Sequence, residues 1–190
     1  MLFIIDLEAT CWESKEIKLK KKSEIIELGG AILKTQTSSI YTFSEFVKPV
    51  LNPILSEYCI NLTSIKQKDV ENASCFSIAL DNFLKKATNY LENKKIKNVV
   101  FGSWGMYDKK QLIEDCKLHN IKYPFGRHWN IKQGFSQMLN TKRGYGLSRA
   151  LKKMELQFEG QQHRGEDDAK NIARLVISAF GPTWKNYINK

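Results

Sequence analysis

Asp6-Leu7-Glu8 closes a short apolar run, residues 2–7, whose β-branched content suits a buried strand. Alternate side chains on a strand share a face, so Asp6 and Glu8 point one way while Leu7 enters the core on the other. Paired carboxylates repel, and a divalent cation that prefers oxygen ligands, Mg²⁺ or Mn²⁺, removes that cost. Alone, the pair also fits a solvated strand end. A second acidic set, His163-Arg164-Gly165-Glu166-Asp167-Asp168, opens the last helical pattern. Acids in a first turn are favoured by the helix dipole whatever their function. His163 precedes that turn on a loop, where it can swing toward a water near Asp168 or simply face solvent. A third stretch, Phe101-Gly102-Ser103-Trp104-Gly105-Met106-Tyr107-Asp108, follows an apolar run and opens another helix, a common place for ligands in α/β sheets. Trp104 there either stacks on a nucleobase or caps the edge of the core. Together, four carboxylates at strand and helix ends with one loop histidine suit phosphodiester hydrolysis. Two metal ions about 3.5–4 Å apart would hold the phosphate and activate a water, and the histidine would remove its proton.

The elements that must position these groups are legible from periodicity. After the first strand comes a polar segment, residues 13–23, with a lysine-rich stretch from Lys18 to Lys22, which reads as a mobile loop. Residues 24–34 and 41–50 read as two strands of a hairpin around the polar turn 35–39, and Pro49 and Pro53 bound the next loop. Residues 76–91 carry apolar side chains at helical spacing, 96–101 form a β-rich run, and 108–119 and 147–154 read as helices. The last helix, 167–180, is stopped by Gly181-Pro182. Early strands followed by alternating strands and helices predict an α/β fold, a mixed sheet covered by helices.

With 190 residues and 42% hydrophobic content, the chain has material for one core. A net charge of +10 and a pI near 9.4 suggest a polyanionic partner, although small soluble proteins are often simply basic. The cysteines, Cys11, Cys59, Cys75 and Cys116, form no C-x-x-C pair, which argues against a zinc site or a disulfide framework. No run is long enough for a membrane span, and the opening apolar run is too short for a signal peptide. A soluble, cytoplasmic protein is the expectation.

The motifs, in order, resemble those of the DEDDh 3′→5′ exonucleases of the ribonuclease-H-like fold, in the branch of the histone-mRNA 3′-end exonuclease and its bacterial relatives. The resemblance is carried by Ile5-Asp6-Leu7-Glu8-Ala9-Thr10-Cys11-Trp12, Glu24-Ile25-Ile26-Glu27-Leu28, Tyr58-Cys59-Ile60-Asn61-Leu62-Thr63-Ser64-Ile65, Ser103-Trp104-Gly105-Met106-Tyr107-Asp108 and His163-Arg164-Gly165-Glu166-Asp167-Asp168-Ala169. His163 and Asp168 have the His-x-x-x-x-Asp spacing of the histidine subclass. The resemblance implies a mixed five-stranded sheet flanked by helices, in one exonuclease domain over residues 1–185 with a tail at 186–190. It implies two Mg²⁺ ions, replaceable by Mn²⁺, on Asp6, Glu8, Asp108 and Asp168, with His163 as general base. Ala9, Thr10, Leu62, Thr63 and Trp104 would bind the terminal nucleotide, with its 3′-hydroxyl read near Glu8. Asp115 competes with Asp108 but lies seven residues further into its helix. Asp167 competes with Asp168 but breaks the histidine spacing, and Ile172, four residues on, puts Asp168 on the covered face.

The expected substrate is the 3′ end of single-stranded RNA, with single-stranded DNA as the alternative and a non-catalytic RNA-binding module as a third reading. The His163–Asp168 signature argues against a ribonuclease-H-type endonuclease. Some relatives carry a nucleic-acid-binding domain ahead of the exonuclease. Here the catalytic motifs start at residue 3, so substrate choice is expected from a partner or from basic surface. The Lys18–Lys22 stretch and the pairs Lys94-Lys95, Lys109-Lys110 and Lys152-Lys153 are the candidates, though each pair also fits a solvated face.

Overall fold

The computed structural model describes residues 1–92, 94–142 and 144–188. The chain forms β1 (Leu2–Ala9), α1 (Lys15–Lys20), β2 (Ile25–Lys34), β3 (Ser39–Lys48), α2 (Glu57–Thr63), α3 (Gln67–Glu71), β4 (Ser74–Cys75) and α4 (Phe76–Thr88). There follow β5 (Phe101–Ser103), α5 (Tyr107–Leu118), β6 (His128–Asn130), α6 (Ile131–Met138), α7 (Leu147–Lys153) and α8 (Gly165–Phe180). 3₁₀ segments occupy Ile96–Asn98 and Gly181–Tyr187. Residues 189 and 190 of the expected tail lie outside the described residues.

The strand order is β4-β3-β2-β1-β5-β6. β1, β2 and β3 are antiparallel neighbours, while β5 runs parallel to β1, β6 to β5, and β4 to β3. The mixed sheet therefore has six strands rather than the five expected. β4 and β6 are two and three residues long, too short to leave a period in the sequence.

β1 is central, and both of its faces are covered. Phe3, Ile5 and Leu7 pack with Phe83, Phe101 and Leu112 under α4 and α5. Leu2 and Ile4 pack with Ala31, Trp129, Ile172 and Val176 under α6 and α8. A strand buried on both sides reads as continuous apolar sequence, which is why its two acids stand out. Each fully buried Ile or Phe contributes roughly 1.5–3 kcal/mol, so these layers hold β1 rigidly in register. A smaller cluster of Ile26, Leu55, Cys59, Ile65 and Val70 seats α2 and α3 beside the end of β1.

Two further expectations are corrected. The strand placed at 96–101 begins only at Phe101: Ile96–Asn98 is a 3₁₀ turn, and the strand runs on through Gly102 and Ser103, which pair with β6. The polar segment 13–23 is not all loop, since α1 forms within it, with Leu19 left exposed. The described side chains of that helix are all exposed, which leaves it without a hydrophobic period.

Candidate active site

Asp6 and Glu8 project from the face of β1 that α8 covers. Asp168, in the first turn of α8, meets them there: one carboxylate oxygen from each of Asp6, Glu8 and Asp168 lies within 4.8 Å of the others. α8 reaches this position because two glycines let its start press on the sheet. Gly29 pairs with Asp6 in the β1–β2 ladder. A β carbon on Gly29 would fall 1.9 Å from the carbonyl carbon of Gly165, and one on Gly165 would fall 2.8 Å from the Asp6 carbonyl oxygen. Side chains at either position would lift the helix and carry Asp168 away.

Glu27 fixes the same junction. It stands opposite Glu8 in the ladder and is fully buried. Its carboxylate accepts from the Gly165 amide at 3.0 Å and from Nε and Nη2 of Arg164 at 3.2 Å each. The Arg164 guanidinium also lies over the Phe46 ring. His163 precedes this clamp, exposed, with a left-handed φ of 61°. The sequence reading passed over Glu27 and Arg164 as anchors. An acid in the middle of an apolar strand, Ile25-Ile26-Glu27-Leu28, was the available signal, because such a group stays charged only with a partner.

Asp108 opens α5, is buried, and accepts from the Leu7 amide at 3.1 Å through Oδ1. It reaches the site from the α5 side. It is not among the three mutually convergent carboxylates, but its charge acts on Asp6 more strongly than that of any other acid. The rival acids are committed elsewhere. Asp115 accepts from the Ile25 amide at 3.0 Å and from the Gln111 side chain at 2.6 Å. Asp167 accepts from the Gln161 amide at 2.8 Å, bracing the loop before α8. Asp108 and Asp168 are thus the acids that face the site.

The electrostatics describe a site that calls for a cation. Burial first, then repulsion from Asp108, Asp168 and Glu8, raises the Asp6 pKa well above the ordinary carboxylate range. Burial and the neighbouring acids push Glu8 up to about 8. Asp108 and Asp168 rise to about 6, chiefly through burial, with hydrogen bonds from backbone amides holding them lower than burial alone would. Asp168 Oδ2 is buried with no hydrogen-bond partner among the described residues. An orphaned carboxylate oxygen beside two more acids fits a hard divalent cation.

The expected nucleotide-binding residues gather at the same end of β1 but are not all available. Thr10 is buried; its amide donates to the Glu24 carbonyl at 2.8 Å, and its hydroxyl accepts from the Glu24 amide at 3.0 Å. Thr63 is fully buried, donates to the Cys59 carbonyl at 2.8 Å and accepts from the Ile65 amide. Both hydroxyls are bonded to backbone groups of the protein. Ala9 is buried beside them, and Leu62 is half-buried. Trp104 is half-buried against Phe135 and donates to the Tyr145 carbonyl at 3.1 Å, so it caps the core edge. An aromatic ring presented to solvent beside Asp108 is Tyr107, 54% exposed, whose phenol pKa is raised by partial burial and by the charges of Asp108 and Glu8. Its place directly before Asp108 was the signal available in the sequence.

A mixed six-stranded sheet with carboxylates clustered at the end of its central strand is the arrangement that the DEDDh resemblance implies. The chain belongs to the exonuclease (RNase T) family, whose model matches residues 3–176. It is 35% identical over 184 residues to the 3′-5′ exoribonuclease 1 of Mus musculus and likewise to that of Homo sapiens. Each match covers 92% of this chain but 51% of the mouse protein and 50% of the human one, so the chain spans about half the length of these relatives. Among solved structures it resembles the nuclease domain of 3′hExo, a DEDDh family member, bound to rAMP. The TM-score is 0.85 at 34% identity, covering 93% of this chain and 89% of that one. It also resembles the 3′-exonuclease in a structure of 3′-end-specific recognition of a histone mRNA stem-loop, with a TM-score of 0.82, 32% identity, and 93% and 79% coverage.

Proposed function

We propose that this chain is a 3′→5′ exoribonuclease that shortens single-stranded RNA from its 3′ end and releases nucleoside 5′-monophosphates, using two Mg²⁺ ions for which Mn²⁺ can substitute. The observation that carries this reading is the convergence of Asp6, Glu8 and Asp168, with an orphaned Asp168 oxygen and His163 five residues before it. Asp6, Glu8 and Asp168 would hold the ions, with Asp108 closing the set from α5. Bound divalent cations neutralise phosphate charge and supply Lewis acidity. His163, exposed on its loop, would take the proton of the attacking water, and the Glu27–Arg164 clamp would keep that loop over the cluster. The 3′-hydroxyl would be read near Glu8. The Tyr107 ring would stack on a base.

The solved relative bound to rAMP and the curated exoribonucleases favour RNA. DNA is the competing substrate, since the carboxylates act on either backbone. Matched single-stranded RNA and DNA oligomers, compared by kcat/KM, decide the matter. A clear RNA preference is expected, and an equal or higher rate on DNA would overturn the choice of RNA. Among the described residues no helix is long and apolar enough to cross a membrane. A cytoplasmic location remains part of this proposal, on the sequence grounds given above.

A further inference from the structure

Resting on the exonuclease reading, we propose that the nucleic-acid strand upstream of the 3′ terminus runs along the β6 edge of the sheet, its phosphates held by Lys109, Arg127, Lys185 and Lys94. Three cavities with shared lining residues lead from that edge to the N-terminal end of β1. The first, about 250 Å³, extends from Met106 and Lys109 at the start of α5, past His128 and Asn130, to Ile188. The second, about 380 Å³, begins at Ile188 and takes in Arg127, Lys94 and Lys185. The third, about 720 Å³, shares Lys94 and Lys185 and ends at Lys34 and Tyr41.

The path begins beside the site, because Lys109 follows Asp108. It ends at the opposite end of β1, where Leu2 pairs with Leu33. At about 3.3 Å per strand residue, that is roughly 13 Å from Asp6 along the strand. β6 pairs only with β5, so its outer edge is uncovered by any strand. The linings hold one carboxylate among the described residues, Glu92, and it is ion-paired to Lys34 at 2.8 Å. The groove is therefore strongly cationic along its length, which favours a polyanion that releases counterions as it binds. Tyr187, packed on Phe180, and Tyr41, stacked on Tyr90, line the first and third cavities. Arg127, Lys94 and Lys185 are exposed and make no ion pair among the described residues, so replacing them leaves the core intact.

The test uses the triple variant Lys94→Gln/Arg127→Gln/Lys185→Gln and two RNAs, a trinucleotide and a dodecamer. Binding of the dodecamer is measured in EDTA as a function of salt, and turnover of both RNAs is measured in Mg²⁺. The variant is expected to bind the dodecamer at least tenfold more weakly, with a salt slope shallower by about 2, since each phosphate contact on a single strand contributes about 0.7. Its trinucleotide turnover is expected to match wild type. Unchanged dodecamer affinity and slope would overturn the proposal. So would an equal loss on both RNAs, which would place the damage at the catalytic end. Failure of the exonuclease reading shows separately, as wild-type protein that does not shorten the trinucleotide.

Discussion

Gly29 and Gly165 meet backbone to backbone, and a β carbon on Gly29 would lie 1.9 Å from the carbonyl carbon of Gly165. This contact sets how deeply α8 sits on the sheet, and hence whether the Asp168 carboxylate reaches those of Asp6 and Glu8. Gly29→Ala is predicted to cost about 1–3 kcal/mol of stability by overpacking, and to lower turnover at least tenfold by displacing Asp168. Urea unfolding and single-turnover cleavage measure the two effects. A variant with wild-type turnover would show that the helix start does not position the site.

Arg164 neutralises a carboxylate with no access to water. Arg164→Ala leaves the Glu27 charge buried and unpaired, a change that costs about 3–5 kcal/mol for fully buried pairs. Here the lower end is expected, because the arginine side chain is 28% exposed. Adding Glu27→Gln to Arg164→Ala should restore part of the stability, although turnover stays low because the His163 loop has lost its anchor. A double-mutant cycle on unfolding free energy checks this, and purely additive effects would contradict the clamp.

The carboxylate cluster links stability to pH. Glu8 moves from 4.5 to about 8 on folding, and Asp108 and Asp168 from 3.8 to about 6. Between these limits the folded state binds more protons than the unfolded state, so stability falls as pH rises. In EDTA the Tm is therefore predicted to drop between about pH 5 and pH 8. Excess Mg²⁺ or Mn²⁺ should abolish most of that drop, because a bound cation takes over the protons' role. Melting curves with and without the ions provide the comparison, and a Tm that rises with pH in EDTA would refute the assignment of the cluster.

Tyr107 and Trp104 should separate cleanly on substitution. Tyr107→Ala is predicted to weaken binding of the terminal nucleotide by about 1–3 kcal/mol, seen mainly in KM, with the fold unchanged. Trp104→Ala should instead lower Tm, since it removes the bond to the Tyr145 carbonyl and the packing on Phe135. The reverse pattern would restore Trp104 as the stacking residue.

The residues proposed for this candidate site were in part legible in the chain itself. Asp6 and Glu8 were visible because β1 is buried on both faces and tolerates acids only at its working end. Asp168, which joins them, stood out through its spacing from His163 at a helix start. The mixed sheet and its hairpin followed from hydrophobic period. What escaped depended on contacts remote in sequence. Glu27 and Arg164 are separated by more than a hundred residues and are joined only when α8 docks. Gly29 and Gly165 gave no sign of touching. Tyr107 and Trp104 are similar aromatics three residues apart, and only the packing around Phe135 says which one turns inward. β4 and β6 are too short to carry any pattern of their own.

The central claim is that clustered carboxylates and His163 drive metal-dependent removal of nucleotides from a 3′ end. The most direct measurement is a time course on 5′-labelled single-stranded RNA in Mg²⁺, Mn²⁺ and EDTA, with wild-type, Asp6→Asn and His163→Ala proteins. The account predicts a ladder shortening from the 3′ end with wild-type protein and either ion, none in EDTA or with Asp6→Asn, and a severely slowed ladder with His163→Ala. Internal cuts, shortening in EDTA, or near-wild-type turnover by Asp6→Asn would contradict it.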